Sequence, residues 1–425
     1  MFRLINFVVG ILKRILPRKL IRPLLPLYHR GLAFLLAFSY GFPAKRLTVI
    51  GVTGTKGKSS VCDMLYTVLH HAGISVAVAG TIRFAIKDAS EPNLYKMTMP
   101  GRGFIHDFLA RARKQGCSHA VVEVTSESVK QYRHRYLYLD ALVFTNLQKE
   151  HIESHGSFEN YARAKQQIGL ELAGSPKRPR GIIPNIDDPQ GAFYLNLPVE
   201  EKLPFSYEDA KDVALSPGHA AFTYEGVRFD IRLPGSFSVM NALAVINAAR
   251  FVGVPLTTAA EALARLERIP GRTERIDEGQ EFQVVVDYAH TPDSLSALYA
   301  AYPGRKVCVL GNTGGGRDTW KRPEMGRIAD EACDEVILTN EDPYDEDPHS
   351  VVRAMADGMK REPHIIMDRR AAIATAITLA RPGDSVLITG KGTDPYIMGP
   401  NDTKTPWSDA AVAREELKKL GSIKA

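Results

Sequence analysis

The stretch Gly51-Val-Thr-Gly-Thr-Lys-Gly-Lys-Ser-Ser60 decides the fold of this chain. It follows the apolar run 47–50, typical of a strand, and precedes residues 61–69, whose apolar side chains recur at helical spacing. A glycine-rich turn between a strand and a helix brings backbone N–H groups and the helix N-terminus close to a phosphate. A chance glycine-rich turn would lack this setting, although the first and third glycines are one residue further apart than in the general P-loop. We therefore predict that the chain binds a nucleoside triphosphate through Gly54, Thr55, Lys56, Gly57, Lys58, Ser59 and Ser60.

The pattern around this loop predicts an α/β protein. A chain of 425 residues is long enough for two or three domains. Strand and helix patterns alternate from 47 to about 172, and the alternation restarts after Pro270-Gly271. We predict a P-loop central domain with a mostly parallel sheet at 47–271 and a Rossmann-like C-terminal α/β domain at 272–425. A basic amphipathic helical segment, residues 1–46, precedes them.

The net charge of +6 belongs to this N-terminal segment. Residues 1–46 contain nine Lys or Arg and no acidic residue, whereas the remainder has 45 basic and 48 acidic residues. The body therefore gives no reason to expect nucleic-acid binding. The segment has no apolar run of about 20 residues and no signal-peptide pattern, so we predict peripheral contact with the inner face of the membrane. Two helices packed on the body are the alternative.

The four cysteines, Cys62, Cys117, Cys308 and Cys333, are scattered along the chain. Their spacing suggests neither a disulfide framework nor a zinc site, so we expect small buried hydrophobic residues. This is typical of a protein of the reducing cytoplasm.

Polar residues follow several predicted strands, at the edge where open α/β sheets bind ligands. In the first domain they are Glu123, His151, His155 and, on the next helix, Lys165. Each alone has an ordinary structural explanation, but a carboxylate and an imidazole beside a P-loop could form a magnesium or manganese shell. In the second domain, four strands end in the polar runs 287–293, 311–318, 341–343 and 390–392.

Several of these runs resemble the motifs of the Mur ligases, ATP-dependent enzymes that build the peptide stem of the cell wall, and most closely those of the MurE type. Gly54-Thr-Lys-Gly-Lys-Ser59 is similar to GTNGKT, and Val122-Glu-Val-Thr-Ser126 to EVSS. Thr145-Asn-Leu-Gln-Lys-Glu-His-Ile-Glu-Ser-His-Gly156 resembles TNLSRDHLDYHG, and Tyr161-Ala-Arg-Ala-Lys165 resembles YAxAK. Asp287-Tyr-Ala-His-Thr-Pro-Asp293 matches DYAHTPD, and Lys321-Arg-Pro323 matches KRP.

The resemblance implies a set of site residues and two cofactors, ATP and Mg²⁺. Lys58, Glu123, His151 and Lys165 would be catalytic, with Lys165 carbamylated and Ser59, Glu123, His151 and Lys165 around magnesium. ATP would also contact Asn241, Arg272, His290 and Asn312. A muramyl-peptide acceptor would contact Thr98, Thr125, Ser126, Gln131 and Arg133. Tyr344 and Asp394 are our candidates for the pocket of the amino acid to be added, and Arg317, Asp342 and Gly390 are further candidate substrate-binding residues.

The implied function is the addition of an amino acid to a muramoyl-L-Ala-D-Glu precursor through an acyl phosphate. Three departures from the family pattern leave the substrates open. The basic segment occupies the place of the family's uridine-binding domain, DNPR is replaced by Glu341-Asp-Pro-Tyr344, and GKGHE is replaced by Gly390-Lys-Gly-Thr-Asp394. The amino acid could be diaminopimelate, lysine or a similar amine. The alternatives are a ligase for a lipid-linked or folylpolyglutamate-type substrate and a tethered ATP-binding protein without ligase chemistry.

Overall fold

A computed structural model describes residues 25–101, 103–150 and 152–424. Its central sheet has eight strands in the order β4-β3-β2-β5-β1-β6-β7-β8. The strands from β2 to β8 in this order are parallel, and the β3–β4 hairpin adds an antiparallel edge. Their bounds are β1 Thr48–Thr53, β2 Val76–Ala79, β3 Arg83–Ile86, β4 Ala89–Pro92, β5 His119–Glu123, β6 Ala141–Phe144, β7 Gly181–Pro184 and β8 Glu201–Lys202.

Helices cover both faces of this sheet, so its inner strands are apolar on both sides. In β1, Ile50 and Val52 enter one core and Val49 enters the other. The first core also receives side chains of α2, Lys58–His71, and the second receives side chains of α3, Phe104–Lys114. The other helices before residue 200 are α1 Leu25–Ser39, α4 Ser126–Lys130, α5 Ile152–His155, α6 Phe158–Ala173 and α7 Gly191–Leu195.

A small antiparallel sheet and two helices complete the first core. The sheet has the order β11-β10-β9, with β9 Lys211–Ser216, β10 His219–Tyr224 and β11 Val227–Ile231. The helices are α8 Ser236–Phe251 and α9 Leu256–Arg265. Side chains from β10, β11 and both helices are buried against α2 and the central sheet. The P-loop helix is thus packed on all sides.

The second large sheet has six strands in the order β12-β13-β17-β14-β15-β16, parallel except for β12. Apolar cores lie on both of its faces. Its strands are β12 Glu274–Ile276, β13 Gln283–Asp287, β14 Lys306–Leu310, β15 Glu335–Leu338, β16 His364–Ile365 and β17 Ser385–Thr389. Its helices are α10 Pro292–Ala300, α11 Lys321–Ala332, α12 Pro348–Ala356, α13 Arg369–Leu379 and α14 Asp409–Lys424. A separate hairpin joins β18 Tyr396–Met398 to β19 Lys404–Pro406.

The α/β prediction is confirmed, and two expectations are corrected. Cys308 and Cys333 form a disulfide, which the spacing of 25 residues did not suggest. The cysteines meet because β14 and the end of α11 are packed together, whereas Cys62 and Cys117 are buried and unpaired as expected. The sequence analysis also overlooked the short antiparallel strands at the sheet edges, because two to four residues carry too little periodicity.

Helix α1 lies in residues 25–46, the part of the basic N-terminal segment that the structure describes. Leu32, Ala33, Leu36 and Ala37 are buried against the body. The opposite face exposes apolar side chains, including Leu27, Phe34, Leu35 and Phe38. No helix of the described residues is long and apolar enough to cross a membrane. The rest of the segment, residues 1–24, lies outside the described residues.

A buried ion pair joins the first turns of α13 and α14 and provides a stability test. Arg369 donates to Asp409 at 2.8 and 2.7 Å, and both side chains are at most 1% exposed. We expect Asp409→Ala to destabilise the protein by about 3–5 kcal/mol, because it leaves a buried guanidinium without its partner. Urea unfolding measures the change.

The matched control is Glu415→Ala, which removes an ion pair between the same two helices. Arg370 and Glu415 are 41% and 56% exposed. Exposed pairs contribute less than about 1 kcal/mol. Equal losses in the two variants would contradict the prediction.

Candidate active site

A cavity of about 810 Å³ lies between the carboxyl edges of the two large sheets. Because parallel strands end at the same edge, the loops after β1, β5, β6 and β13 all reach this cavity. It brings together most of the site residues predicted from the sequence: Thr55, Lys56, Gly57, Lys58, Ser59, Ser60, Thr98, Glu123, Thr125, Ser126, Gln131, Arg133, Lys165, Asn241, Arg272, His290 and Arg317.

Two glycines allow the P-loop to adopt its path. Gly54 has a φ of 146°, and a Cβ there would lie 1.9 Å from the Thr145 hydroxyl oxygen. Gly57, with a φ of 82°, precedes α2, and a Cβ there would lie 2.4 Å from Oδ1 of Asn241. Both positions require glycine, since the backbone conformation and the space exclude a side chain. The loop thus leaves the first N–H groups of α2 at the cavity.

The P-loop concentrates positive charge. Lys58 donates from Nζ to the Thr55 carbonyl oxygen at 2.8 Å, and burial lowers its pKa, with Glu123 and Glu150 opposing the shift. Lys56, at the position of the family's asparagine, forms an ion pair with Glu150 at 3.1 Å. A buried ammonium group that has lost solvation gains most from a polyanion placed against it. The loop is therefore suited to a triphosphate.

Glu123, at the end of β5, is 1% exposed and is held by hydrogen bonds on both carboxylate oxygens. Oε2 accepts from the Thr81 backbone N–H at 2.8 Å, and Oε1 accepts from the Thr81 and Ser59 hydroxyls at 3.0 and 3.1 Å. A hydroxyl and a carboxylate next to a phosphate loop fit Mg²⁺, which uses one or two carboxylates and completes its shell with phosphate and water. Among the described residues, no group of three His, Cys, Asp or Glu side chains forms a larger metal centre.

Lys165, on α6, is buried beneath the P-loop at 2% exposure. Its Nζ donates to the Gly54 carbonyl oxygen at 2.5 Å. Burial lowers the pKa of Lys165 well below the usual value, and the neighbouring Lys58 lowers it further. Burial therefore favours the neutral, nucleophilic form of this amine over the ammonium form, relative to an exposed lysine.

The two histidines of the predicted metal shell have different outcomes. His151 lies outside the described residues, so its part in the shell stays a prediction. His155 does not contact Glu123. Its Nε2 lies 3.2 Å from the Ser126 hydroxyl and 3.2 Å from a Glu127 carboxylate oxygen. His155 therefore supports the loop that carries the proposed acceptor contacts.

The proposed acceptor residues form one wall of the cavity. Arg133 donates to the Met99 carbonyl oxygen and to Oε1 of Gln131, both at 2.6 Å. The hydroxyls of Thr98 and Thr81 are 2.7 Å apart, and Thr81 in turn bonds Glu123. This wall is continuous with the P-loop site, so an acceptor bound here would reach the phosphates.

The second sheet contributes one cationic group, Arg272, and one imidazole, His290, to the same cavity. The Arg272 guanidinium packs over the Tyr288 ring at 4.5 Å and donates to the Ser59 hydroxyl at 3.4 Å. His290 Nε2 lies 2.8 Å from Oε1 of Glu150, and burial lowers the pKa of this imidazole to about 4. Glu150 thus links the P-loop to the second sheet. Glu150 was not predicted as a site residue, although its position next to His151 in the sequence motif could have indicated it.

The remaining predicted residues lie outside the cavity lining. Asn312 is buried and donates from Nδ2 to the Met325 sulfur at 3.2 Å, so its contact with ATP stays a prediction. Gly54 lies just beneath the loop, where its carbonyl oxygen binds Lys165. Asp342, Tyr344, Gly390 and Asp394 form a cluster behind the cavity wall. Thr81 and Lys96 were not predicted, because no local pattern marks them, and Lys391 lies in the predicted polar run 390–392 without an assigned role.

The two halves of the chain match known protein-family models. Residues 52–249 match the Mur ligase middle domain, and residues 271–392 match the glutamate ligase domain of Mur ligases. A UDP-N-acetylmuramyl-tripeptide synthetase of Roseiflexus sp. (strain RS-1) is 36% identical, over 92% of this chain and 82% of that protein. The chain belongs to the Mur ligase family.

Two further Mur ligases and one folylpolyglutamate synthase are similar to this chain in sequence or in fold. A UDP-N-acetylmuramoyl-L-alanyl-D-glutamate–2,6-diaminopimelate ligase of Geobacillus kaustophilus is 35% identical, over 92% of this chain and 83% of that protein. A solved diaminopimelate ligase of the same name is 28% identical, with a TM-score of 0.60 over 88% of this chain and 79% of that chain. A folylpolyglutamate synthase of Mycobacterium tuberculosis, 17% identical with a TM-score of 0.68 over 88% and 97% of the two chains, shares the fold.

The lowered pKa of Lys165 leads to a prediction about its modification. We expect the neutral amine to add to CO₂ at neutral pH, forming a C–N bond and releasing a proton, whereas exposed lysines need more alkaline solutions. Carbon-13 NMR with labelled bicarbonate measures the carbamate. Lys165→Met should remove the signal, and Lys58→Met should keep it. A signal unchanged in Lys165→Met, or absent from the unmodified protein, would contradict the prediction.

Proposed function

We propose that this Mur ligase is an ATP-dependent acid–amino-acid ligase that extends a muramoyl-L-Ala-D-Glu acceptor by one amino acid. The observation that carries the proposal is the meeting of Lys58, Glu123 and Lys165 at one P-loop, with an acceptor wall beside it. The central domain, 47–271, would supply the phosphate and acceptor sites, and the C-terminal domain, 272–425, would close over them. The identities with tripeptide synthetases support this acceptor.

The reaction has two steps. A carboxylate oxygen of the acceptor attacks the γ-phosphorus of ATP, and ADP leaves, giving an acyl phosphate. The amine of the incoming amino acid then attacks the acyl carbon, a C–N bond forms, and phosphate leaves with the amine proton passing to solvent. Catalysis of this kind depends on alignment and on charge stabilisation.

The residues of this chain have defined tasks in these steps. Lys58 and the N–H groups of Gly57, Ser59 and Ser60 hold the phosphates. Ser59 would help to hold one Mg²⁺, and Glu123, His151 and carbamylated Lys165 would surround a second. Bound magnesium would neutralise the negative charge of the phosphates. Asn241, Arg272 and His290 orient the nucleotide. The acceptor is held by Thr98, Thr125, Ser126, Gln131 and Arg133.

The incoming amino acid would bind where the second sheet meets the cavity. Arg317 reaches the cavity, and Asp342, Tyr344, Gly390 and Asp394 lie directly behind it. Gly390 has a φ of 105°, and a Cβ there would lie 2.2 Å from Oε2 of Glu341. Its glycine therefore allows the loop that carries Asp394 to approach β15.

The ligase reaction is tested with purified protein, ATP, Mg²⁺, UDP-N-acetylmuramoyl-L-Ala-D-Glu and a panel of amino acids. We expect phosphate release that depends on one amino acid, with a tripeptide product identified by mass spectrometry. Lys58→Met should lower kcat at least about 100-fold, because it removes a buried cation from the developing charge.

The matched control is Lys114→Met, which changes an exposed lysine at the end of α3 and should leave the rate unchanged. Equal rates in the two lysine variants would contradict the assigned role of Lys58. Absence of product with every amino acid, together with intact ATP binding, would contradict the acceptor and favour a lipid-linked or folylpolyglutamate-type substrate.

Residues 1–46 would hold the enzyme at the inner face of the cytoplasmic membrane. The outer face of α1 combines exposed Leu27, Phe34, Leu35 and Phe38 with Arg30. Six further cations precede this helix in the sequence, and residues 1–46 contain no acid. Apolar side chains in the headgroup region and cations at anionic lipid both favour such contact.

Cosedimentation with phosphatidylglycerol vesicles measures this contact. We expect binding that weakens with salt, and the triple change Phe34→Ser, Leu35→Ser and Phe38→Ser should weaken it at least about tenfold, since apolar area is lost. Leu215→Ser, which changes an exposed apolar residue on β9, is the control. Equal binding by both variants would contradict the role of α1.

A further inference from the structure

Lys96 connects the central sheet to the predicted amino-acid pocket of the second sheet. It lies in the loop between β4 and α3, and its φ of 53° is in the left-handed region. The buried Asn93 shapes this loop by donating from Nδ2 to the Gly80 and Met97 carbonyl oxygens, both at 2.9 Å. Lys96 is therefore presented by a constrained turn.

The Lys96 ammonium group binds two carboxylates of the second sheet, those of Asp342 and Asp394. It forms ion pairs with Oδ2 of Asp342 and, at 3.3 Å, with Oδ2 of Asp394. The other oxygen of Asp342 accepts from Lys391 Nζ and from the Met398 N–H, each at 2.8 Å. Lys391 is fully buried and also approaches Asp394 at 3.4 Å. With Lys96 in place two positive charges balance two negative charges; without it one carboxylate is uncompensated.

Lys96 also separates this pair from the cavity. Lys96 lines the cavity, whereas the Asp342 side chain is 3% exposed and lies behind it. A lone ammonium group arriving from the cavity would meet carboxylates that already have their cation. Buried carboxylates bind a cation strongly only when they lack one, because desolvation has to be repaid by a new interaction.

Arg317 adds a cation that favours binding of a negatively charged group next to Lys96 and Tyr344. Its guanidinium packs on the Tyr344 ring at 4.6 Å, and Lys96 lies 5.8 Å from the centre of that ring. Arg317 donates to the Tyr344 hydroxyl at 3.5 Å rather than to a carboxylate of the described residues, and it lines the cavity. Arginine is well suited to bind a carboxylate through two parallel hydrogen bonds.

We propose that Lys96 is a specificity-determining residue that fills the Asp342–Asp394 carboxylate pair and thereby excludes amino acids whose side chain ends in a lone ammonium group. Arg317, supported by Tyr344, then selects an amino acid that carries a carboxylate at its far end. The inference rests on the proposed function, because it assigns this pocket to the incoming amino acid. Arg317, in the loop after β14, would then take the role of the arginine in the family's DNPR motif, which is Tyr344 in this chain.

The test compares L-lysine with meso-diaminopimelate as the added amino acid. In the unmodified enzyme we expect a clear preference for diaminopimelate. Lys96→Met should shift the ratio of the two kcat/KM values toward lysine by at least about tenfold, because the carboxylate pair gains a vacancy for the substrate ammonium. Lys96→Arg, which keeps a cation, should retain much of the original preference.

A purely structural contact between the sheets would give a different result. Lys96→Met would then raise KM for both amino acids and leave their ratio unchanged, which would overturn the inference. A preference for lysine in the unmodified enzyme would overturn it as well. Both outcomes leave the proposed ligase function intact, since the unmodified enzyme would still form a product.

A binding measurement keeps the inference testable if the enzyme turns over neither amino acid. Calorimetric titration with L-lysine should show binding to Lys96→Met at least about tenfold tighter than to the unmodified protein. Equal affinities, with unchanged thermal unfolding of the variant, would overturn the role of Lys96. Lys114→Met is the control in this titration.

Discussion

The placing of two lysine side chains, Lys58 within the P-loop and Lys165 beneath it, is the constraint on which the site depends. Lys165 is buried and Lys58 is partly buried, and desolvation is the first cause of their lowered pKa values. The carboxylates that face them, Glu123 and Glu150, raise these pKa values only in part. Such a group of ammonium side chains is costly until a polyanion replaces the lost water. The desolvated lysines destabilise the empty site and increase its affinity for a triphosphate.

The second constraint is that neither sheet completes the site alone. The first sheet provides the P-loop, Glu123 and Lys165, and the second provides Arg272 and His290. Contacts between the sheets involve ionised side chains, as in the hydrogen bond of Glu150 with His290 and the ion pair of Lys96 with Asp342. The strength of charged contacts depends on how the groups are aligned and on nearby bound ions. The relative position of the two sheets therefore depends on which charged ligands the cavity holds.

Much of the fold was predictable because its signals are local. The strand indicated by the apolar run 47–50 extends from Thr48 to Thr53, and the helix indicated by residues 61–69 extends from Lys58 to His71. Strand ends carrying Glu123 and Asp287 were also found, since parallel strands are apolar until they reach the ligand edge. The β3–β4 hairpin was missed, and with it Thr81 and Lys96. Both residues gain their importance from partners distant in the sequence.

The sequence by itself determined the P-loop, the alternation that makes two α/β sheets, and the motif residues at their strand ends. These follow from backbone conformation and from periodic burial, which act over a few residues. Only the tertiary structure decided that Thr81 supports Glu123, that Cys308 meets Cys333, that Asn312 is buried, and that Lys96 reaches Asp342, 246 residues away. Such pairs are fixed by how whole sheets and helices pack, and packing depends on the summed fit of many side chains rather than on any local pattern.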